Sequence, residues 1–300
     1  MTHIFLILKG MAMGAANVIP GVSGGTIAFI TGIYERLINS LKSFDFRAVK
    51  LLFSGSWKAF VSKIDLYFLA SILFGIAISI LSLSKVLEWA FKSYESLTLS
   101  FFFGLIVASI VGVGKQISKF NFSNIVALVI GVAIAAGIAF LPPAEPNESF
   151  LYLIICGMVA ISSMILPGLS GSYILLLMGN YVLVIHAIGA MDFSILLPFA
   201  LGCIVGLLLF AQVLSYLFKH FRDFTISTLT GFIAGSLAII WPWKVTQYVT
   251  LASGKEKAVG YSWFLPELDG SFFFALVLAL IGFLIVWLME YIASRNNSNI

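Results

Sequence analysis

Two stretches of this 300-residue chain carry the same interrupted apolar pattern, and the interruption constrains the fold more than any other feature. Residues 3–34 are apolar but split by Pro20-Gly21, and residues 150–190 are apolar but split by Pro167-Gly168. Proline removes a backbone donor and biases the residue before it away from helix. The glycine beside it permits a sharp turn. Each stretch therefore reads as two helices joined by a tight break, a broken or re-entrant hairpin.

The two stretches are copies. Shifted by 147, residues 10–34 fall on 157–181 without a gap. Gly10, Met11, Pro20, Gly21, Ser23, Gly24, Ile27, Gly32 and Tyr34 match Gly157, Met158, Pro167, Gly168, Ser170, Gly171, Ile174, Gly179 and Tyr181, nine of 25 positions. Apolar residues coincide by chance, but Pro-Gly-x-Ser-Gly followed by Gly-x-Tyr does not. Weaker matches continue: Phe68 and Gly75 with Phe199 and Gly206, then Thr98, Ser100, Gly104 and Ser109 with Thr225, Ser227, Gly231 and Ser236. An internal duplication of most of the chain follows.

Unbroken apolar runs occupy 66–84, 97–114 and 124–142 in the first half and 196–217, 225–243 and 271–290 in the second. Each is near the ~20 residues that cross a bilayer. Charged residues make up 10% of the chain, against roughly 25% in soluble domains, too few to cover a water-facing surface. The expected fold is an all-α integral membrane protein of two inverted-topology repeats. The first, 1–145, holds hairpin 3–34, an amphipathic cytoplasmic segment 35–65 and three spans; the second, 146–300, holds hairpin 150–190 and three spans. Inversion follows from counting, because a hairpin returns to the side it left and three spans do not.

Charge sets the orientation. With the N-terminus inside, 12 of the 17 Lys and Arg fall on the cytoplasmic side, and the outer loops 142–149 and 182–195 carry none. That matches the positive-inside rule and puts both termini in the cytoplasm. The apolar run Ile4–Leu8 stops at Lys9, too short for the core of a signal peptide, so the first element is expected to be retained. Segment 35–65 sets Leu41, Phe44, Val49, Leu52 and Phe53 among lysines and arginines. It reads as a helix lying on the anionic inner leaflet, or else as a solvated connector.

Candidate chemistry sits at the breaks. The first offers Asn17, Pro20, Gly21, Ser23, Gly24, Gly25 and Thr26; the second offers Pro167, Gly168, Ser170, Gly171, Ser172 and Tyr173. A helix that begins there has four amides without internal partners, and its positive end attracts anions. In an inverted repeat the two breaks face each other near the membrane midplane, as substrate sites do in many transporters. The competing reading is that the glycines serve close helix packing alone. Asn17, whose counterpart is the apolar Met164, is a candidate ion ligand or network member. Glu35 and Arg36 are candidates for gating or head-group contact, or for an interfacial pair.

Other chemistry is not indicated. Cys156 and Cys203 lie in apolar runs without metal-ligand spacing, and His186 has no partner in view. There is no Ser–His–Asp arrangement and no Lys-Ser/Thr ending to the glycine-rich breaks, which argues against an enzyme or an ATPase. No cofactor is expected beyond a coupling ion, H+ or Na+, and no basic stripe points to nucleic acid.

The stretch Met13-Gly14-Ala15-Ala16-Asn17-Val18-Ile19-Pro20-Gly21-Val22-Ser23-Gly24-Gly25-Thr26, followed by Gly32-Ile33-Tyr34-Glu35-Arg36-Leu37, resembles the bacterial DUF368 membrane family. So do Leu166-Pro167-Gly168-Leu169-Ser170-Gly171-Ser172-Tyr173 and Leu99-Ser100-Phe101-Phe102-Phe103-Gly104-Leu105, and the resemblance covers nearly the whole chain. It implies a polyprenyl-phosphate transporter that returns undecaprenyl phosphate from the outer to the inner leaflet of the plasma membrane. That return recycles the lipid carrier for peptidoglycan and other envelope polymers. Only the resemblance names this lipid. The residues themselves admit a phosphate monoester with its prenyl tail left among membrane lipids, and equally an ion-coupled transporter of a small soluble anion.

Overall fold

The computed structural model describes residues 3–18, 23–250 and 256–297. The first half runs α1 (His3–Val18), α2 (Gly24–Ile30), α3 (Tyr34–Lys42), α4 (Phe46–Phe53), α5 (Trp57–Lys63), α6 (Leu66–Ser93), α7 (Glu95–Gly114) and α8 (Phe122–Ile138). The second runs α9 (Phe150–Ile165), α10 (Gly171–Leu177), α11 (Tyr181–Ala190), α12 (Phe193–His220), α13 (Arg222–Gly235) and α14 (Leu237–Ile240). It closes with strands β1 (Lys244–Thr250) and β2 (Glu256–Trp263) and helix α15 (Gly270–Asn297).

This is an all-α membrane protein. Among the described residues, five single helices are long and apolar enough to cross a bilayer: 66–83, 95–114, 193–220, 222–240 and 270–288. They cover five of the six expected spans. The sixth, expected at 124–142, is the 17-residue α8, about 25 Å long and at the short end of what can span. Helix α6 runs past its expected end at 84 to Ser93, because no glycine or proline interrupts 85–93. Large apolar side chains such as Leu81, Phe122 and Leu197 point outward, as a lipid-facing surface requires. Several hydroxyls on these helices donate to their own carbonyls one turn back, as Ser100 does to Ser96 and Thr230 to Ile226, both at 2.7 Å. Hydrocarbon offers no other acceptor.

The second hairpin has three helices where two were expected. Helices α10 and α11 meet at 107°. The hinge is Gly179, at φ +80°, with the Asn180 amide donating to the Leu175 carbonyl at 3.2 Å. The first half repeats it: Gly32 sits at φ +70° and the Ile33 amide donates to Ala28 at 2.9 Å. Both are left-handed helix stops of the kind glycine makes cheaply. The Gly-x-Tyr of the duplication is therefore a stop followed by a new helix. Helices α2 and α10, seven residues each, reach only about 10 Å, so neither crosses the membrane by itself; α10 and α11 are together apolar enough to do so as one bent span or to form a re-entrant loop.

Packing repeats as well. Helix α1 lies on α6 as α9 lies on α12, while α7 pairs with α15 and α8 with α13. The last helix of each half thus packs on the other half. Glycines make these crossings possible. A Cβ on Gly104 would overlap the Ala279 carbonyl and one on Gly282 the Phe101 carbonyl; at the equivalent crossing, Gly231 meets Leu128 and Gly131 meets Thr228.

Segment 35–65 is three short helices. Phe46, Val49, Phe53 and Trp57 are exposed, and Asp45 caps α4 at Ala48 while pairing with Lys63, each at 2.9 Å. The antiparallel hairpin β1–β2, with Lys244 opposite Trp263, was not anticipated. Its sequences, Lys-Val-Thr-Gln-Tyr-Val-Thr and Glu-Lys-Ala-Val-Gly-Tyr-Ser-Trp, are rich in β-branched and aromatic residues. It is fastened to the end of α14: Trp263 Nε1 donates to Ala238 at 2.7 Å and Lys244 Nζ to the Ile239 carbonyl.

Burial pulls the Lys244 ammonium down to about 8, with the Glu95 carboxylate opposing. Between pH 8 and the ordinary lysine range the unfolded chain therefore holds more protons than the folded one, and stability rises with pH. Relative to Lys244→Met, wild-type protein is expected to gain melting temperature from pH 8 to 10. A flat difference would remove the buried ammonium as the cause.

Candidate functional site

The first break is held by its own side chains. Asn17, near the end of α1, accepts the Gly24 amide at 2.7 Å. Ser23 is extended and caps α2, accepting the Gly25 amide at 3.1 Å. Two of the amides left over at the start of this helix are thus already occupied by oxygens of the chain. An anion could reach them only by displacing Asn17 and Ser23. Pro20 and Gly21 lie outside the described residues.

Across from it stands the second break, in direct contact. The Ser23 hydroxyl donates to the Leu166 carbonyl at 3.1 Å, with the Met164 carbonyl at 3.5 Å. The Gly168 amide donates to the Thr26 hydroxyl at 3.0 Å. The Tyr34 hydroxyl donates to the Ile165 carbonyl at 3.2 Å, its ring packed against Phe29 and Phe218. Hydroxyls of the first half therefore satisfy the terminal carbonyls of α9, which no residue of α9 can reach. In a low-dielectric interior each such group left bare is costly.

The two breaks differ in access. Ser23 and Thr26 are buried, at 2% and 0% exposure. Ser170 is partly exposed and Ser172 exposed, their hydroxyls 3.1 Å apart. Ser170 caps α10 at the Tyr173 amide, 3.4 Å away. Pro167, Gly168, Gly171 and Tyr173 are buried, with Gly171 against the Ala160 backbone. The open side of the joint thus presents the hydroxyls of Ser170 and Ser172.

Glu35 and Arg36 are engaged elsewhere. Glu35 pairs with Arg222 of α13 at 3.1 Å. Arg36 grips Asp65 through two nitrogens, at 2.6 and 3.1 Å, and lies over the Phe68 ring. Neither contacts a break residue in these pairings. Two residues of consequence were missed. Tyr34 was visible only as half of the repeated Gly-x-Tyr. Lys9, the single Lys or Arg in residues 3–34, donates to the Thr31 carbonyl at 2.6 Å and so closes the end of α2.

A family model described as VCA0040-like, undecaprenyl phosphate translocase-like, matches residues 13–258. A polyprenyl-phosphate transporter of Vibrio cholerae is 42% identical over 246 residues, which is 82% of this chain and 80% of the relative. A polyprenyl-phosphate transporter of Staphylococcus aureus is 28% identical over 308 aligned positions, 97% of each chain. No solved structure matches the chain.

Proposed function

The chain belongs to the VCA0040-like, undecaprenyl phosphate translocase-like family, and from that premise we propose that it transports polyprenyl phosphate and is not an enzyme. The cargo is undecaprenyl phosphate, carried from the outer to the inner leaflet of the bacterial plasma membrane, with both termini in the cytoplasm. Its return resupplies the carrier lipid for envelope synthesis.

The observation that carries this reading is the joint between the breaks, Thr26 to Gly168 and Ser23 to Leu166. Buried hydrogen bonds between two halves are a contact that can open and close as a unit. One side of it is sealed and the other shows Ser170 and Ser172. Alternating access then means breaking this joint so that the sealed side opens. The phosphate is met by hydroxyls and backbone amides of the breaks, while the prenyl tail stays in hydrocarbon. The reciprocal glycine crossings support two repeats of opposite orientation. Toward the cytoplasm, Arg36 can exchange Asp65 for a head group cheaply, because an exposed ion pair is worth only ~0–1 kcal/mol.

Purified protein in liposomes is expected to move labelled polyprenyl phosphate between leaflets faster than empty liposomes do, and Ser170→Ala/Ser172→Ala is expected to slow it several-fold. Runs with H+ or Na+ gradients identify a coupling ion by acceleration. No movement above background under any gradient would sink the proposal, and uptake of labelled inorganic phosphate instead would replace it with a soluble-anion carrier.

A further inference from the structure

Residues 35–65 form a surface segment whose two ends are fixed at the ends of membrane-crossing helices. At one end, Lys42 of α3 donates to the Ser215 hydroxyl at 3.2 Å, and that hydroxyl donates to Asn39 at 3.0 Å. Ser215 lies in the last two turns of α12. At the other end, α5 stops at Lys63 and α6 begins its span at Leu66, with Asp65 between them held by Arg36. Helices α4 and α5 therefore lie between two membrane entry points, at the level of the bilayer surface.

Helix α4 is apolar on two sides, and the protein covers one of them. Ala48 is buried, and Leu51 and Leu52 are partly buried beside it. Phe46, Val49 and Phe53 recur at spacings of three and four residues, which sets them on one stripe on the side away from Ala48. Phe46 is 83% exposed, Phe53 is 84% exposed, and Trp57 at the start of α5 is 61% exposed. Three aromatic rings held outward together mark a surface that meets something other than water. A solvated connector has no use for such a stripe.

Charge indicates what covers it. Arg47, Lys50 and Lys58 stand beside these rings, are exposed, and enter no ion pair among the described residues. A second copy of the chain is a poor complement. Across a two-fold contact the same three cations would face one another. Among the described residues, the acids at this end of the molecule are already taken: Glu35 by Arg222, Asp45 by Lys63, Asp65 by Arg36, and Asp223 by the amides of Ser118 and Lys119. A bilayer with anionic phospholipid is the matching surface, negative at its head groups and apolar just beneath them. Aromatic rings settle at that boundary while Lys and Arg reach back to the phosphates.

We infer that α4 and α5 dock on the bilayer through Phe46, Phe53 and Trp57, and hold anionic phospholipid head groups with Arg47, Lys50 and Lys58. This surface is separate from the two breaks and holds whatever the chain carries, so its test reads no transport.

The test uses the full chain in liposomes, with Cys156→Ala and Cys203→Ala and a nitroxide on Phe53→Cys. Relaxation by oxygen, which concentrates in hydrocarbon, is compared with relaxation by a water-soluble nickel chelate. The liposomes are phosphatidylcholine with and without phosphatidylglycerol. With phosphatidylglycerol the nitroxide is expected to gain oxygen contact and lose nickel contact several-fold. High salt is expected to reverse part of that change, because it screens the cations. Arg47→Gln/Lys50→Gln/Lys58→Gln is expected to abolish the phosphatidylglycerol effect. Phe46→Cys carries the same label on the same stripe should the Phe53→Cys protein not fold, and both side chains are exposed enough that a label displaces no packing. Nickel contact that phosphatidylglycerol leaves unchanged overturns the inference. So does a label shielded from both reagents, as a second copy or a soluble partner on this face would shield it. Immersion that survives the triple substitution overturns the role of the three cations.

Discussion

Gly104→Leu is expected to leave no monodisperse protein after detergent extraction. At the α7–α15 crossing a Cβ on Gly104 would overlap the backbone of Ala279, and backbone cannot swing aside as a side-chain tip can. The two helices would have to separate along their whole contact. Inserting bulk into a packed core usually costs about 1–3 kcal/mol; here the loss is larger, because close backbone approach is what membrane helices have in place of a hydrophobic driving force. Gly231→Leu should fail in the same way, since Gly231 makes the equivalent crossing with Leu128. Gly137→Leu is the control: nothing lies within 4 Å of its Cβ, and size-exclusion profiles should match wild type. Normal profiles for both crossing variants would refute the reciprocal packing.

Thr26→Val is expected to cut polyprenyl phosphate movement about tenfold while the protein still folds. Valine keeps the shape of threonine but withdraws the acceptor of the buried Gly168 amide. A buried donor left without a partner costs ~1–3 kcal/mol, and 1.4 kcal/mol is a factor of about ten in a population. The sealed arrangement of the breaks is the one that loses, so the cycle is biased toward its open state. Thr26→Ser retains the hydroxyl and should restore most of the rate. Comparable rates for valine and serine at this position would show that the joint plays no part in transport.

Much of this architecture was legible because proline and glycine act locally. Pro167-Gly168 announces a break whatever surrounds it, and its recurrence 147 residues from the first break discloses the duplication. The spans were legible because a bilayer fixes their length. Gly179 was overlooked as a helix stop because Gly179-Asn180 is only two residues between the apolar runs 173–178 and 181–185, so averaged hydropathy showed one continuous arm. The β1–β2 hairpin was overlooked because it sits in a segment read only for its charge. At the candidate site, residue types were visible and partners were not. Tyr34 with Ile165, Thr26 with Gly168 and Glu35 with Arg222 join positions more than 130 residues apart, and no periodicity encodes such pairs. At α2 the Ser23 cap was visible as a residue type, whereas the hold of Asn17 on the Gly24 amide, seven residues away across the break, was not.

The exchange of final helices has a historical consequence. A lone first repeat would present the face of α7 that α15 covers and the face of α8 that α13 covers, each shaped for a helix it does not own. Two identical copies would close both openings by trading their last helices, as swapped dimers do. Joining two such copies into one polypeptide preserves every contact and lets each copy then change by itself. On such an origin, the buried Ser23 and the partly exposed Ser170 would be equivalent positions that have come to differ in access.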